Sequence, residues 1–373
     1  MLSGIKRVLV VKPDGLGDAV LASAFLRELR RNLPQARILL VVHKDVYPLV
    51  ELCPYVNEIL TYPWGPAAMP GEFRGAFRAF VWATRLWARR LDLAILARWD
   101  VDYYHGASMV YWSGARRRAG YSEKVNALKA RLNRGRDAFF THLCREVTVR
   151  HEVERNLDLI RFLGGDVHEN GLELWLDDAD KSFAEDILSR HGISKDEPLI
   201  AMGLGAARPH KQWSLGSYRQ LVEWLTDEFG ARILLVGSEA ERAAGEEVGR
   251  LFGDSVIHAA GEATLRQTCA LLERCGLYVG NDTFAAHAAS AAGLKTFVIS
   301  CHAKTGDPMS SRSPERFGPW GAGHGVIRPG SFIPPCAGEC LRDGPHCILK
   351  ISPENVQQVL APVLEKRRAA HAA

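Results

Sequence analysis

The 373-residue sequence contains no apolar run long enough to cross a bilayer, so it reads as a chain that does not span a membrane. Met1 to Arg7 leads directly into a strand pattern with no apolar signal core, and the expected compartment is the cytoplasm. Zinc-finger spacing, a Walker loop and a Gly-x-Ser-x-Gly elbow are missing, which sets aside the chemistries those motifs carry. A large excess of charge of one sign is lacking. The 47 Lys and Arg against 43 Asp and Glu leave a net +4, too mild to imply a nucleic-acid partner. Eight cysteines are too few for a disulfide scaffold in a chain of this length and fit reduced thiols. What remains is an ordinary globular composition, 47% hydrophobic and 24% charged, at a length that suits two α/β domains.

Both halves share one grammar. Ile5 to Val11 is a near-continuous apolar run that predicts a buried parallel strand. Lys12-Pro13-Asp14-Gly15-Leu16-Gly17-Asp18 follows, then a helical pattern from Ala19 to Arg31 and a second strand at Ile38 to Val42. Further strands are predicted at Glu58 to Thr61, Asp92 to Ala97 and Leu172 to Leu176, with a Pro/Gly-rich loop at Pro63 to Gly71. In the second half, Pro198 to Met202 is a strand followed by Gly203-Leu204-Gly205-Ala206-Ala207 and His210-Lys211-Gln212-Trp213. Strands at Arg232 to Val236, Val256 to His258 and Leu277 to Val279 come next, and Thr296 to Ser300 is expected to be the last. A rigid loop at Pro314 to Gly321 and a closing helix from Pro353 to Lys366 complete the chain.

The most informative stretch is Val279-Gly280-Asn281-Asp282-Thr283-Phe284-Ala285-Ala286-His287, continuing to Gly293. It predicts a strand, a sharp turn and a helix of small residues opened by Thr283. Such a helix start offers N–H groups and the positive end of a dipole, which suits a phosphate. A strand-to-helix unit with a capping acid would use the same residues.

The first Gly-rich turn does not make a nicotinamide site. The third small residue of the dinucleotide fingerprint is replaced by Val20, and His43 and Lys44 stand where a ribose-binding acid belongs. The glycines instead let the loop turn tightly and bring Asp18 to a strand's carboxyl end. Two other segments stand out. The helix Phe73 to Leu91 interleaves Phe77, Phe80 and Trp87 with Arg74, Arg78, Arg85 and Arg89, which fits either an anionic membrane face or a core-packed helix with solvated arginines. Arg116 to Arg136 is the most basic stretch, read as a loop that binds a phosphorylated acceptor or lipid headgroups, or that is merely solvated.

Taken together, Val11 to Asp18, His210 to Trp213, Gly280 to Thr283 with His287, Pro314 to Gly321 and the Cys-rich tail ending Ile351-Ser352-Pro353-Glu354 resemble glycosyltransferase family nine, the heptosyltransferase-like enzymes. The resemblance covers nearly the whole chain. It implies an α/β fold of two Rossmann-like doubly wound domains facing each other across a cleft (GT-B). Residues 1–177 would bind the acceptor, residues 178–350 the nucleotide-sugar donor, and residues 351–373 would form a closing helix and tail. It implies an inverting transfer with Asp18 as general base and Lys211 at the pyrophosphate. Gly205, Glu239, Asp282, Thr283, Phe284 and His287 would be donor contacts. The expected donor is a nucleotide-diphosphate sugar, ADP-heptose by family default, with no further cofactor. The expected acceptor is a phosphorylated glycan or glycolipid of lipopolysaccharide type, with peripheral contact at the inner face of the membrane. Phe284 departs from the Gly common at that place, and its bulk narrows the room beside the donor phosphates. A sugar-nucleotide epimerase or hydrolase on the same scaffold, a transferase acting on a protein, and a non-catalytic binding protein are the competing readings. Cys336, Cys340 and Cys347 have spacing C-x3-C-x6-C; no metal is assigned to them, and a bound ion would need a fourth ligand such as His346 or Cys301.

Overall fold

The structure is a computed structural model that describes residues 2–66, 73–194, 199–340 and 342–372. The chain divides into two compact units, Met1–Trp175 and Leu176–Ala373. Residues 67–71 of the expected Pro/Gly-rich loop, and Pro198 at the start of an expected strand, lie outside the described residues.

The first unit holds a parallel sheet of β1 (Arg7–Lys12), β2 (Arg37–His43), β3 (Glu58–Tyr62), β4 (Leu93–Leu96), β5 (Arg117–Tyr121) and β6 (His142–Cys144). Its order is β3-β2-β1-β4-β5-β6. Val8 to Val11 are fully buried, as a strand covered on both faces requires. The chain lays β2 and β3 to one side of β1, then crosses back to lay β4 to β6 on the other. The reversal falls between β1 and β4, and open α/β sheets bind ligands at the carboxyl ends of strands at such a point. Val11 pairs with Leu96, so the loops after these strands emerge side by side.

The second unit repeats the plan with β7 (Leu199–Gly203), β8 (Arg232–Val236), β9 (Val256–His258), β10 (Leu277–Asn281), β11 (Lys295–Ile299) and β12 (Gly325–Ile327). Its order is β12-β11-β10-β7-β8-β9, with the reversal between β7 and β10. Gly203 pairs with Gly280 there. A Cβ on Gly203 would come within 2.3 Å of the Tyr278 hydroxyl, and one on Gly280 within 2.6 Å, so both strand ends need glycine. The helix Pro353–Ala372 packs on the helix Leu215–Phe229, burying Val356 and Leu360 completely.

Several local expectations change. Leu172 to Leu176 is not a strand, although its apolar residues alternate. Its anchors are side chains: Ser23 Oγ accepts from the Glu173 N–H at 3.0 Å, and Glu173 accepts from Arg27 at 2.6 Å and from the Tyr55 hydroxyl at 3.0 Å. β12 follows the strand that was expected to be last. The helical pattern from Ala19 to Arg31 breaks at Ala22 into Leu16–Leu21 and Ser23–Asn32. The basic stretch is not a solvated loop, because it contributes β5 to the sheet. Within it, Lys129 is buried and donates to the Trp99 carbonyl at 2.9 Å, while Arg118 donates to the Phe139 carbonyl at 2.7 Å. Arg116, Lys124, Arg131 and Arg134 remain exposed.

Candidate functional site

In the second unit the site is assembled by Asn281, the last residue of β10. It is fully buried, and its amide ties three pieces of chain together. Oδ1 accepts from the Trp213 N–H at 3.0 Å, and Nδ2 donates to the carbonyls of Leu204 at 2.9 Å and Gly205 at 3.1 Å. The turn carrying Lys211 and the Gly-rich loop after β7 are thereby hung from the end of β10. Trp213 is clamped from its other side, with Nε1 donating to the Ile351 carbonyl at 2.7 Å and its ring packed edge-on against Tyr218.

Lys211 ends the single 3-10 turn Pro209–Lys211, and its Nζ donates to Asp282 Oδ2 at 2.6 Å. Burial pushes the Asp282 carboxyl up, but the Lys211 ammonium, His287 and the Lys211 hydrogen bond outweigh it and hold the group below the usual range. Asp282 is therefore an anion at neutral pH. His287, one turn into the helix Phe284–Ala291, is 7% exposed. Burial depresses its pKa, Asp282 opposes that and Lys211 adds to it, leaving a neutral-leaning imidazole whose Nδ1 has no hydrogen-bond partner among the described residues. Thr283 is the N-cap residue, with φ −144° and ψ 177°, and its side chain makes no capping bond. The helix start therefore keeps backbone N–H groups beside a cationic side chain, a combination that suits a diphosphate. Phe284 stands half-buried at the first helical position.

Gly205 has a steric reason of its own. A Cβ there would lie 2.2 Å from Cγ of Glu241, which in turn accepts from the Ser238 N–H at 2.7 Å and hydroxyl at 2.6 Å. Glu241 thus couples the loop after β7 to the loop after β8. Glu239 sits on that second loop with its carboxylate 73% exposed, gripped by Arg242 at 2.8 Å through two nitrogens.

In the first unit Asp18 lies in the first turn of the helix Leu16–Leu21 and is half-buried. Its surroundings include charged groups to which the sequence reading assigned no role. Lys12 is buried at the end of β1, donates to the Ala97 carbonyl at 2.9 Å and lies 3.1 Å from Asp14. Arg98, just past β4, also pairs with Asp14. Burial depresses the Lys12 ammonium, Asp18 and Glu152 oppose that, and Arg98 adds to it. Asp18 also acts on the nearby Tyr104 phenol, which burial raises above its usual value. The arrangement is two carboxylates, Asp14 and Asp18, with the two cations Lys12 and Arg98 at a sheet reversal. The signal available in sequence was a lysine closing the apolar run Val8 to Val11.

Of the residues singled out beforehand, Lys211, Asp282, Thr283, Phe284, His287 and Gly205 gather at the β7/β10 reversal, and Glu239 stands on the neighbouring loop. Asp18 belongs to the other unit. Asn281, which holds the first group together, stood in the motif without an assigned role.

Comparisons with known proteins bear on the family and the fold. Lipopolysaccharide heptosyltransferase 2 of Escherichia coli K12 is 25% identical over 293 residues, covering 76% of this chain and 80% of that protein. The solved glycosyl transferase family 9 protein of Veillonella parvula superposes with a TM-score of 0.75 at 20% identity, covering 98% of this chain and 99% of that one. An E. coli heptosyltransferase solved with ADP superposes with a TM-score of 0.68 at 17% identity, covering 95% and 99%. The description of glycosyltransferase family 9 (heptosyltransferase) matches residues 85–332, more than half of the sequence. The chain therefore belongs to glycosyltransferase family 9 and is a glycosyltransferase.

Proposed function

We propose that this enzyme is an inverting heptosyltransferase that uses ADP-heptose and acts on a lipopolysaccharide-type glycan. The observation that carries the reading is the Lys211–Asp282 pair at the β7/β10 reversal, beside the start of the helix Phe284–Ala291. The residues there suit a nucleotide diphosphate, and the E. coli heptosyltransferase with ADP and the lipopolysaccharide heptosyltransferase 2 named above support the choice of donor and acceptor.

In the proposed transfer, Asp18 takes the proton of the acceptor hydroxyl. The acceptor oxygen forms its bond to the anomeric carbon while that carbon's bond to the diphosphate oxygen breaks on the opposite face. ADP leaves with the electron pair. Lys211 and the helix-start N–H groups stabilise the charge that grows on the diphosphate. His287 and Thr283 contact the donor's phosphates and sugar, and Glu239 meets the nucleoside ribose. Lys12 stands close enough to Asp18 to feel its charge, and both Lys12 and Arg98 are also paired with Asp14.

The acceptor is membrane-borne in this reading. The helix Phe73–Ala83 buries Ala79, Trp82 and Ala83 and leaves Phe73 81%, Phe77 54% and Val81 45% exposed beside exposed Arg74 and Arg78. Trp87, Tyr111 and Trp112 extend this surface, with Phe80 and Trp112 at 4.8 Å. Aromatics interleaved with arginines suit the headgroup region of an anionic bilayer.

The test is a donor screen by thermal shift with ADP-, GDP-, UDP- and CDP-sugars, followed by mass spectrometry of a truncated lipopolysaccharide incubated with ADP-heptose. A heptose mass added to the acceptor supports the reading. Stabilisation by UDP- or GDP-sugars with none by ADP-heptose overturns the donor.

A further inference from the structure

The tail of the second unit carries a second constellation that the transfer does not use. Cys336, Cys340, His346 and Cys347 each present one ligand atom, and the four atoms all lie within 4.8 Å of one another. Cys336 Sγ is 4.0 Å from Cys340 Sγ and 3.6 Å from His346 Nδ1, and Cys347 Sγ is 3.5 Å from the same nitrogen. We propose that these four residues bind a divalent transition-metal ion in a closed tetrahedral site, and that the ion fastens the tail against the Lys211 turn.

The distances decide between a metal site and a pocket of packed thiols. Zinc bonds of about 2.3 Å to sulfur and about 2.0 Å to nitrogen, set at tetrahedral angles, place sulfurs about 3.8 Å apart and a sulfur about 3.5 Å from the nitrogen. The three separations above lie within about 0.2 Å of that geometry, and all four ligand atoms lie within 4.8 Å of one another. A disulfide needs about 2.0 Å between sulfurs, and all eight cysteines are free thiols here. Thiol packing alone gives no reason for one imidazole nitrogen to stand within 3.6 Å of two different sulfurs. Three soft thiolates and an imidazole are a zinc-type donor set, and ferrous iron is accommodated by the same chemistry. Four protein ligands leave no open position, so the role is structural.

The surroundings suit that role. Cys336, Cys340 and Cys347 are buried. Cys347 Sγ accepts from the Ile333 N–H at 3.4 Å, an outer-shell donor that stabilises a thiolate. Arg312 donates to the Cys340 carbonyl and holds that side of the loop. The 3-10 turn Cys347–Lys350 lies against the turn Pro209–Lys211, and the Ile351 carbonyl receives the Trp213 indole N–H. An ion closing Cys336 to Cys347 therefore braces the segment on which Lys211 rests. Binding expels the thiol protons, so occupancy rises with pH.

The experiment uses the full chain purified without chelator. Inductively coupled plasma mass spectrometry is expected to find one zinc or iron per chain, falling sharply in Cys347→Ser and in Cys340→Ser. Because those variants can fail to fold, the wild-type protein is also stripped with chelator and titrated with Co2+. Thiolate-to-cobalt charge-transfer and tetrahedral d–d bands saturating at one equivalent support the site, and so does a melting temperature restored by Zn2+. A folded chain with no stoichiometric metal and no cobalt bands overturns it, as does a Cys336–Cys340 disulfide found by mass spectrometry. None of these readouts depends on which sugar nucleotide the enzyme uses.

Discussion

Lys211 and Asp282, 71 positions apart in the chain, meet at 2.6 Å with less than a quarter of either side chain exposed. The pair holds a cation at the helix start and keeps the carboxylate charged. It also means that a diphosphate entering this site competes with Asp282 for the ammonium. Lys211→Ala should raise the Kd for ADP and lower kcat together, since in the proposed transfer its charge meets the phosphates before and during reaction. It should also cost about 1–3 kcal/mol of stability by leaving Asp282 unpaired. Adding Asp282→Ala should recover part of the stability and none of the ADP binding, as read by denaturant titration and calorimetry. Full additivity of the two single changes would rule out the coupling.

Asn281→Ala removes three hydrogen bonds from a fully buried position. Each orphaned group costs about 1–3 kcal/mol, so a marked drop in urea midpoint is expected. ADP affinity should fall further than global stability predicts, because the Lys211 turn and the Gly205 loop lose their common anchor. ADP affinity unchanged at a temperature where the variant remains folded would show that the loops hold themselves.

Asp18→Asn keeps size and shape but accepts no proton. The expected loss in kcat is about a hundred- to ten-thousand-fold, with ADP affinity and melting temperature barely altered. Single-turnover kinetics make the check. A near-normal rate with chemistry limiting would remove Asp18 as the base.

Acidification should weaken the second unit. Burial depresses the pKa of His210, His287, His302 and His324, so each prefers to stay neutral when folded. In the unfolded chain a histidine takes up its proton near pH 6.5. The stability these groups contribute is thus fully present above about pH 6.5 and is lost as pH falls through their folded values. The melting temperature should decline between about pH 7 and pH 5, and His287→Gln should flatten the slope. A melting temperature that is level over this range would contradict the assignment.

Much of the molecule was readable because its grammar is local. An apolar run such as Val8 to Val11 followed by a Gly-rich turn makes a buried parallel strand and a helix wherever it occurs. Asp282, Thr283 and His287 fall at a helix start for the same reason. Alternation misled at Leu172 to Leu176, where Ser23, Arg27 and Tyr55 hold the segment by side chains in place of a neighbouring strand. It also gave no sign of β5 inside the basic stretch, since a strand with arginines at its start is recognised only by the sheet it joins.

The sequence by itself determined the two-fold repetition of strand, turn and helix, the helix start at Thr283 and the residues able to do chemistry. Tertiary structure decided which of them meet. The strand order reverses between β1 and β4 and between β7 and β10, and only that reversal brings Lys12 to Ala97 and Trp213 to Asn281 across 85 and 68 residues. The same holds for His346, whose place within 3.6 Å of two cysteine sulfurs depends on how the tail folds back. Periodicity reports which face of an element is buried, and long-range pairing depends on where the chain crosses its sheet.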